Sequence, residues 1–169
     1  MGTGTPVTED EIITPEKMNL KLESSPDNAL RGILGVASGW GTDPTNLANA
    51  TDGDIDTVTG TGNKIMAGAG TCGYIKFDLG SVKTALVGGK IAIWSTAGTI
   101  YMYIDQSVDD ITWYLSGQPV LGRVVADENI APPPPVLVTM RYFRLRFYVN
   151  AASTIYAKIY EVMAWELTP

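Results

Sequence analysis

The chain contains no histidine. That absence excludes Ser-His-Asp and Cys-His nucleophilic catalysis and His-ligated zinc. A single cysteine, Cys72, leaves no internal disulfide and no cysteine-built structural metal site. Basic residues are also scarce: 12 Lys and Arg stand against 18 Asp and Glu, for a net charge of −6. Neither nucleic-acid phosphates nor a membrane surface is therefore an expected partner, because both are met with a basic patch. No stretch approaches the ~20 apolar residues of a membrane span. Met1-Gly2-Thr3-Gly4-Thr5 has neither a basic start nor an apolar run, so no secretion signal is expected in the chain as given.

What is present points to strands. The 169 residues are 45% hydrophobic, enough to bury a substantial core, and 18 Gly with 10 Pro suit short strands joined by turns. Period-two alternation of β-branched and aromatic residues marks Ile91–Trp94, Thr99–Asp105 and Thr139–Val149, and no helix of ordinary length is expected after residue 25. Such a series predicts an antiparallel sandwich rather than an α/β fold. Within the last of these strands, Phe143, Leu145, Phe147 and Val149 are expected to point inward, and Tyr142, Arg144, Arg146 and Tyr148 outward. The two arginines between tyrosines suit a ligand, an oligomer interface, or a solvated face in which they pair with acids on the adjacent strand. Ala131-Pro132-Pro133-Pro134-Pro135 predicts a stiff extended connection, since each proline fixes φ and lacks an N–H.

Residues 1–27 differ from the rest. They are polar and acidic, and their isolated apolar residues Val7, Ile12, Ile13, Met18 and Leu20 cannot form a core alone. A short helix is expected after Thr14-Pro15, because Thr is a good N-cap and Pro fits the first helical turn. The run Ile12-Ile13-Thr14-Pro15-Glu16-Lys17-Met18-Asn19 resembles short segments of bacteriophage tail- and head-fibre proteins that attach or trimerise the fibre. The bland alternative is a disordered or loosely docked N-terminal arm.

The acidic loop Ala50-Thr51-Asp52-Gly53-Asp54-Ile55-Asp56-Thr57 gathers three carboxylates and a hydroxyl about a glycine, the oxygen-rich kind of turn that a hard cation prefers. It is not an EF-hand, because Asn63 stands where that loop's closing Glu would fall. On turn chemistry alone, Asp-Gly pairs are more often plain turns than metal sites. Glu161 shares a face with Met163 and Trp165, and a carboxylate buried there needs a charge partner or a metal, unless that face points outward. Asp109 and Asp110 form an acid pair, but adjacent turn residues diverge, which argues against glycoside hydrolysis.

Taken in order, the acidic loop, Phe77-Asp78-Leu79-Gly80, Ser107-Val108-Asp109-Asp110-Ile111-Thr112-Trp113, Arg141-Tyr142-Phe143-Arg144-Leu145 and Tyr160-Glu161-Val162 resemble the discoidin family, also called coagulation factor 5/8 type C or galactose-binding-like domains. The resemblance spans roughly residues 28 to 167, with Thr59 where that family has Trp and Cys72-Gly73 where it has an aromatic. It implies an all-β, antiparallel jelly-roll β-sandwich over residues 28–169 behind an extended N-terminal arm of residues 1–27. It also implies a structural Ca2+ held by Asp52, Asp54, Thr57 and Glu161, with backbone oxygens near Asn49 and Asp56. Ligands of the family bind at loops on one end of the sandwich, through an exposed aromatic aided by Arg or Asn. Trp40, between two glycines, is the first candidate here, against a role as a core plug. Trp113, Tyr114, Arg144 and Arg146 are the others.

The expected function is non-catalytic. The leading expectation is a virion structural protein, of phage capsid-decoration, head-fibre or tail-fibre type. It would stand on the virion surface as a homo-oligomer, a trimer by preference, or dock other virion proteins through residues 1–27, with its sandwich free to adhere to cell-surface glycans. One alternative is an extracellular carbohydrate-binding module of a larger secreted enzyme. The other is a pure assembly protein with no sugar binding.

Overall fold

The computed structural model of the chain describes residues 28–115, 121–123, 129–131 and 136–167. The expected arm, its helix after Thr14-Pro15 and the Pro132–Pro135 connection lie outside them. Eight strands are present among the described residues: β1 (Val36–Ser38), β2 (Gly62–Met66), β3 (Gly70–Ser95), β4 (Ile100–Ser107), β5 (Leu121–Arg123), β6 (Asn129–Ala131), β7 (Val136–Val149) and β8 (Ser153–Glu166). The one helical element among these residues is a short 3-10 turn, Leu47–Ala50.

All pairings are antiparallel, and β3 organises them. Its first half pairs with β1 and β7, its second half with β6 and β8, while β4 and β5 extend the β7 side and β2 extends the β8 side. The sequence Phe77-Asp78-Leu79-Gly80 does not end this strand but bends it. The register with β7 slips between Asp78 and Lys83, and Gly80 takes φ +79 while its N–H donates to Asp78 Oδ1 at 2.7 Å. A glycine tolerates that left-handed backbone, so the pairing with β7 breaks after Asp78 and resumes at Lys83.

The two halves close on a single core. Ile75, Phe77, Phe143, Leu145 and Phe147 from one half meet Ile91, Ile93, Ile155 and Ile159 from the other, all buried. The result is an antiparallel jelly-roll sandwich, and the alternation expected for β7 holds. Phe143, Leu145, Phe147 and Val149 are buried, and the intervening Tyr142, Arg144, Arg146 and Tyr148 are half-buried on the outer face.

Two departures from the resemblance have a physical counterpart in the structure. A Cβ on Gly73 would lie 2.6 Å from the Trp40 indole, so the missing aromatic leaves the space that Trp40 occupies from the adjoining loop. Trp40 is half-buried there, 5.2 Å from the Phe147 ring, and its Nε1 donates to the Tyr74 carbonyl at 3.2 Å. Thr59, in place of Trp, is buried and bonds both ways to Ile159, giving its N–H to the carbonyl at 2.9 Å and accepting the Ile159 N–H on Oγ1 at 3.0 Å. Gly73→Ala is expected to displace Trp40 and cost about 1–3 kcal/mol, read as a lower urea midpoint with altered tryptophan emission.

Candidate functional site

The acidic loop folds back on itself through its own oxygens. Thr57 Oγ1 lies 2.8 Å from Asp52 Oδ2, 2.9 Å from the Asp54 carbonyl and 3.5 Å from the Asn49 carbonyl. A hydroxyl has one hydrogen, so it can satisfy only one of these acceptors at a time. The Asp54 carbonyl also accepts the Thr57 N–H at 3.3 Å, so several oxygens crowd about this one residue, a kind of donor a hard cation takes. The Asn49 amide donates to the Val58 carbonyl at 2.9 Å, so only its main-chain oxygen faces this point. Asp56 is exposed, and its N–H donates to Asp54 Oδ1 at 2.9 Å.

Glu161 lies beneath the same loop. It is fully buried beside a register shift in β8, and Val162 and Ala164 enter the main core while Met163 and Trp165 join Ile55 and Leu86 in a separate cluster. Its carboxylate takes two long contacts, from the Gly53 N–H at 3.3 Å and from the Asn28 amide at 3.4 Å. Burial pushes its carboxyl up to about 8, with the negative charges of Asp52 and Asp54 adding to the rise and the Gly53 N–H and Arg31 opposing it. Among the described residues, no cluster of three or more Asp, Glu, Cys or His side chains could hold a metal ion. The convergent set at Thr57 is instead one carboxylate, one hydroxyl and two carbonyls, a donor set that suits Ca2+ better than a transition metal. These donor types suit the implied ion, and Glu161 lies buried beside them with its carboxylate on the Gly53 N–H.

The second assembly sits on the outer face of β7. Arg144 Nε and Arg146 Nε donate to Asp105 Oδ2 at 3.1 and 2.6 Å, and Arg146 Nη2 to Oδ1 at 3.1 Å. The arginines therefore pair with an acid on the adjacent strand β4, one of the arrangements expected from sequence. Their flat faces are used as well: the Arg144 guanidinium lies 4.3 Å from the Trp113 ring and 5.0 Å from Tyr74, and that of Arg146 lies 4.3 Å from Tyr103.

Trp113 belongs to a turn between Gln106 and Tyr114. Gln106 and Tyr114 exchange backbone hydrogen bonds at 3.1 and 2.8 Å, closing the loop between them. Asp109 Oδ1 accepts the N–H groups of Thr112 and Ile111 at 2.7 and 2.9 Å, bonds that hold its carboxyl down to about 2. Asp110 pairs with Lys76 Nζ at 2.5 Å. Both acids of the pair thus have structural partners. The turn displays Ile111, 84% exposed, and Tyr114, 63% exposed, while Trp113 is half-buried beneath it.

Of the candidate ligand residues, the structure brings Trp113, Arg144 and Arg146 together, leaves Tyr114 exposed at the end of the adjoining turn, and places Trp40 apart, against Gly73 and Phe147. Of the candidate metal ligands, it gathers Asn49, Asp52, Asp54 and Thr57 at one point with Glu161 beneath. Sequence reasoning missed Asn28, Arg31 and Asp105. Asp105 had a signal, an acid in the outward register of a strand otherwise rich in aromatics, but its pairing with the Arg-x-Arg of β7 depends on which strands are neighbours.

No helix among the described residues is long and apolar enough to cross a membrane. No family profile and no curated protein matches the chain. Among solved structures, the chain is similar to chitosan-binding module 1 of a chitosanase/glucanase from Paenibacillus sp. IK-5, at 18% identity over 82% of this chain and 98% of that one, with a TM-score of 0.48. It is similar to CBM32-3 of a family 31 glycoside hydrolase from Clostridium perfringens, at 18% identity over 80% and 92% of the two chains, with a TM-score of 0.49. A third is the lectin binding domain of lectinolysin complexed with Lewis b, at 14% identity over 85% and 99%, with a TM-score of 0.46.

Proposed function

We propose that the chain is a non-catalytic carbohydrate-binding module of galactose-binding-like type, working outside the cell and joined to, or cut from, a larger secreted enzyme. The observation that carries this reading is the Gln106–Tyr114 turn. An exposed Tyr114 stands on a loop fixed by Asp109 and braced from below by the Trp113–Arg144 stack. An exposed aromatic on a turn held by these hydrogen bonds offers a sugar ring an apolar face to stack on. The virion role rests on residues 1–27, and no observation among the described residues favours it. In the same reading, the oxygens of Asn49, Asp52, Asp54 and Thr57, together with Glu161 and the main chain near Asp56, hold a structural Ca2+. The ion would neutralise the loop's charge and fix its conformation.

Affinity electrophoresis through gels containing galactose-rich or chitosan-type polysaccharides tests the site. Retardation of the full chain is expected in at least one gel. Tyr114→Ala is expected to bind about tenfold more weakly, the loss that follows from removing one stacked ring. Undiminished retardation of Tyr114→Ala would move the sugar site away from this turn.

A further inference from the structure

Two cations touch the acidic loop, and they are used differently. Lys90 Nζ is committed, donating to the Ile55 carbonyl at 3.0 Å and lying 4.7 Å from the Tyr160 ring. Arg31 makes no ion pair among the described residues, yet its guanidinium is laid over Gly53. A Cβ built there would lie 3.3 Å from both its Cζ and its Nε and 3.4 Å from Nη2, so the plane of the group faces the loop. The placement is fixed by the backbone on either side. The Gly32 N–H donates to the Thr51 carbonyl at 2.8 Å, and Thr51 Oγ1 donates to the Ile33 carbonyl at 2.7 Å, clamping the turn that carries Arg31 onto the loop. Gly53, at φ +85, has a glycine's backbone and leaves the guanidinium room. The charge of Arg31 is also felt by the buried Glu161 carboxyl.

We infer that Arg31 is a built-in counter-ion of the Asn49–Thr57 loop, which supports the loop when no metal is bound and competes with a divalent cation for it. The inference rests on the calcium reading above. The loop carries the carboxylates of Asp52, Asp54 and Asp56, against Arg31 and the already committed Lys90. Without a metal, the guanidinium offsets part of their mutual repulsion. With Ca2+ bound, two like-signed cations share one loop, and the arginine weakens the ion's hold. Because Arg31 is exposed, this effect is screened by salt.

The test is isothermal titration of Ca2+ into the full chain and into Arg31→Ala and Arg31→Gln, with melting curves of all three in chelator. Both variants are expected to bind Ca2+ about five- to tenfold more tightly at low salt, by a margin that narrows at high salt. In chelator both are expected to melt below the wild type. The opposite signs separate this role from a purely structural one, which would lower stability and leave affinity unchanged or weaker. If the wild type binds Ca2+ and neither variant binds it more tightly, the Arg31 inference is overturned and the calcium reading stands. If no form binds Ca2+, both fall together.

Discussion

Saturating Ca2+ is expected to raise the melting temperature of the metal-free protein by about 5–10 °C. At a hundredfold excess over Kd, binding adds about 2.7 kcal/mol, and a domain of this size shifts about 2–4 °C per kcal/mol. The stabilisation comes from Glu161, because a buried carboxylate with two long contacts is the group with most to gain from a cation. The same residue sets a pH dependence in chelator. Its carboxyl is raised from 4.5 to about 8 in the folded protein, so between those values the folded state holds a proton that the unfolded state has lost. Stability is therefore fully present below the lower value and declines as pH rises toward 8, by an amount on the order of 4 kcal/mol. With Ca2+ bound, the carboxylate is already ionised and the slope flattens. Glu161→Gln is expected to abolish both the calcium response and the slope, and in chelator at pH 8 to melt no lower than the wild type. An unchanged melt on adding chelator at pH 7 counts against the metal.

Asp105→Ala is expected to cost about 3–5 kcal/mol, the second large effect, because it strands two guanidinium groups in a mostly dry environment. Exposure decides that magnitude: Asp105 is 0% exposed, Arg144 17% and Arg146 14%. The bidentate Arg141–Asp78 pair, with side chains 40% and 41% exposed, is nearly as short at 2.9 and 3.0 Å, yet Asp78→Ala is expected to cost under about 1 kcal/mol. Chemical denaturation of the two variants side by side checks the contrast. Loss of Asp105 is also expected to loosen the Arg144–Trp113 stack and weaken sugar binding, whereas Asp78→Ala leaves binding intact. Equal costs for the two variants would mean that the Asp105 cluster is wetter than its burial implies.

The strands were legible because alternation is a local property. Phe143, Leu145, Phe147 and Val149 could be assigned to the core from sequence alone, and all four are buried. Glu161 was half legible: its shared face with Met163 and Trp165 could be read, but whether that face is covered could not, because the cluster that covers it is completed by Ile55 and Leu86 from elsewhere in the chain. The fate of Trp40 was not legible. Whether a Trp between glycines is displayed or buried depends on the vacancy at Gly73, more than thirty positions away in sequence, as the Trp40–Tyr74 separation of 34 shows. The bend at Gly80 was hidden for a related reason, because Asp-Leu-Gly reads equally well as a strand end or as a bulge until the partner's register is known. Arg31 carried no pattern at all. It lies outside the acidic motif, and only the clamp through Gly32 and Thr51 brings it there.

The most direct test of the central claim is a glycan array probed with the folded full chain in Ca2+, with Tyr114→Ala run beside it. Binding to one family of glycans, lost in Tyr114→Ala while its melting curve is unchanged, is the predicted result. A folded, calcium-loaded wild type that binds no glycan on the array would contradict the sugar-binding assignment.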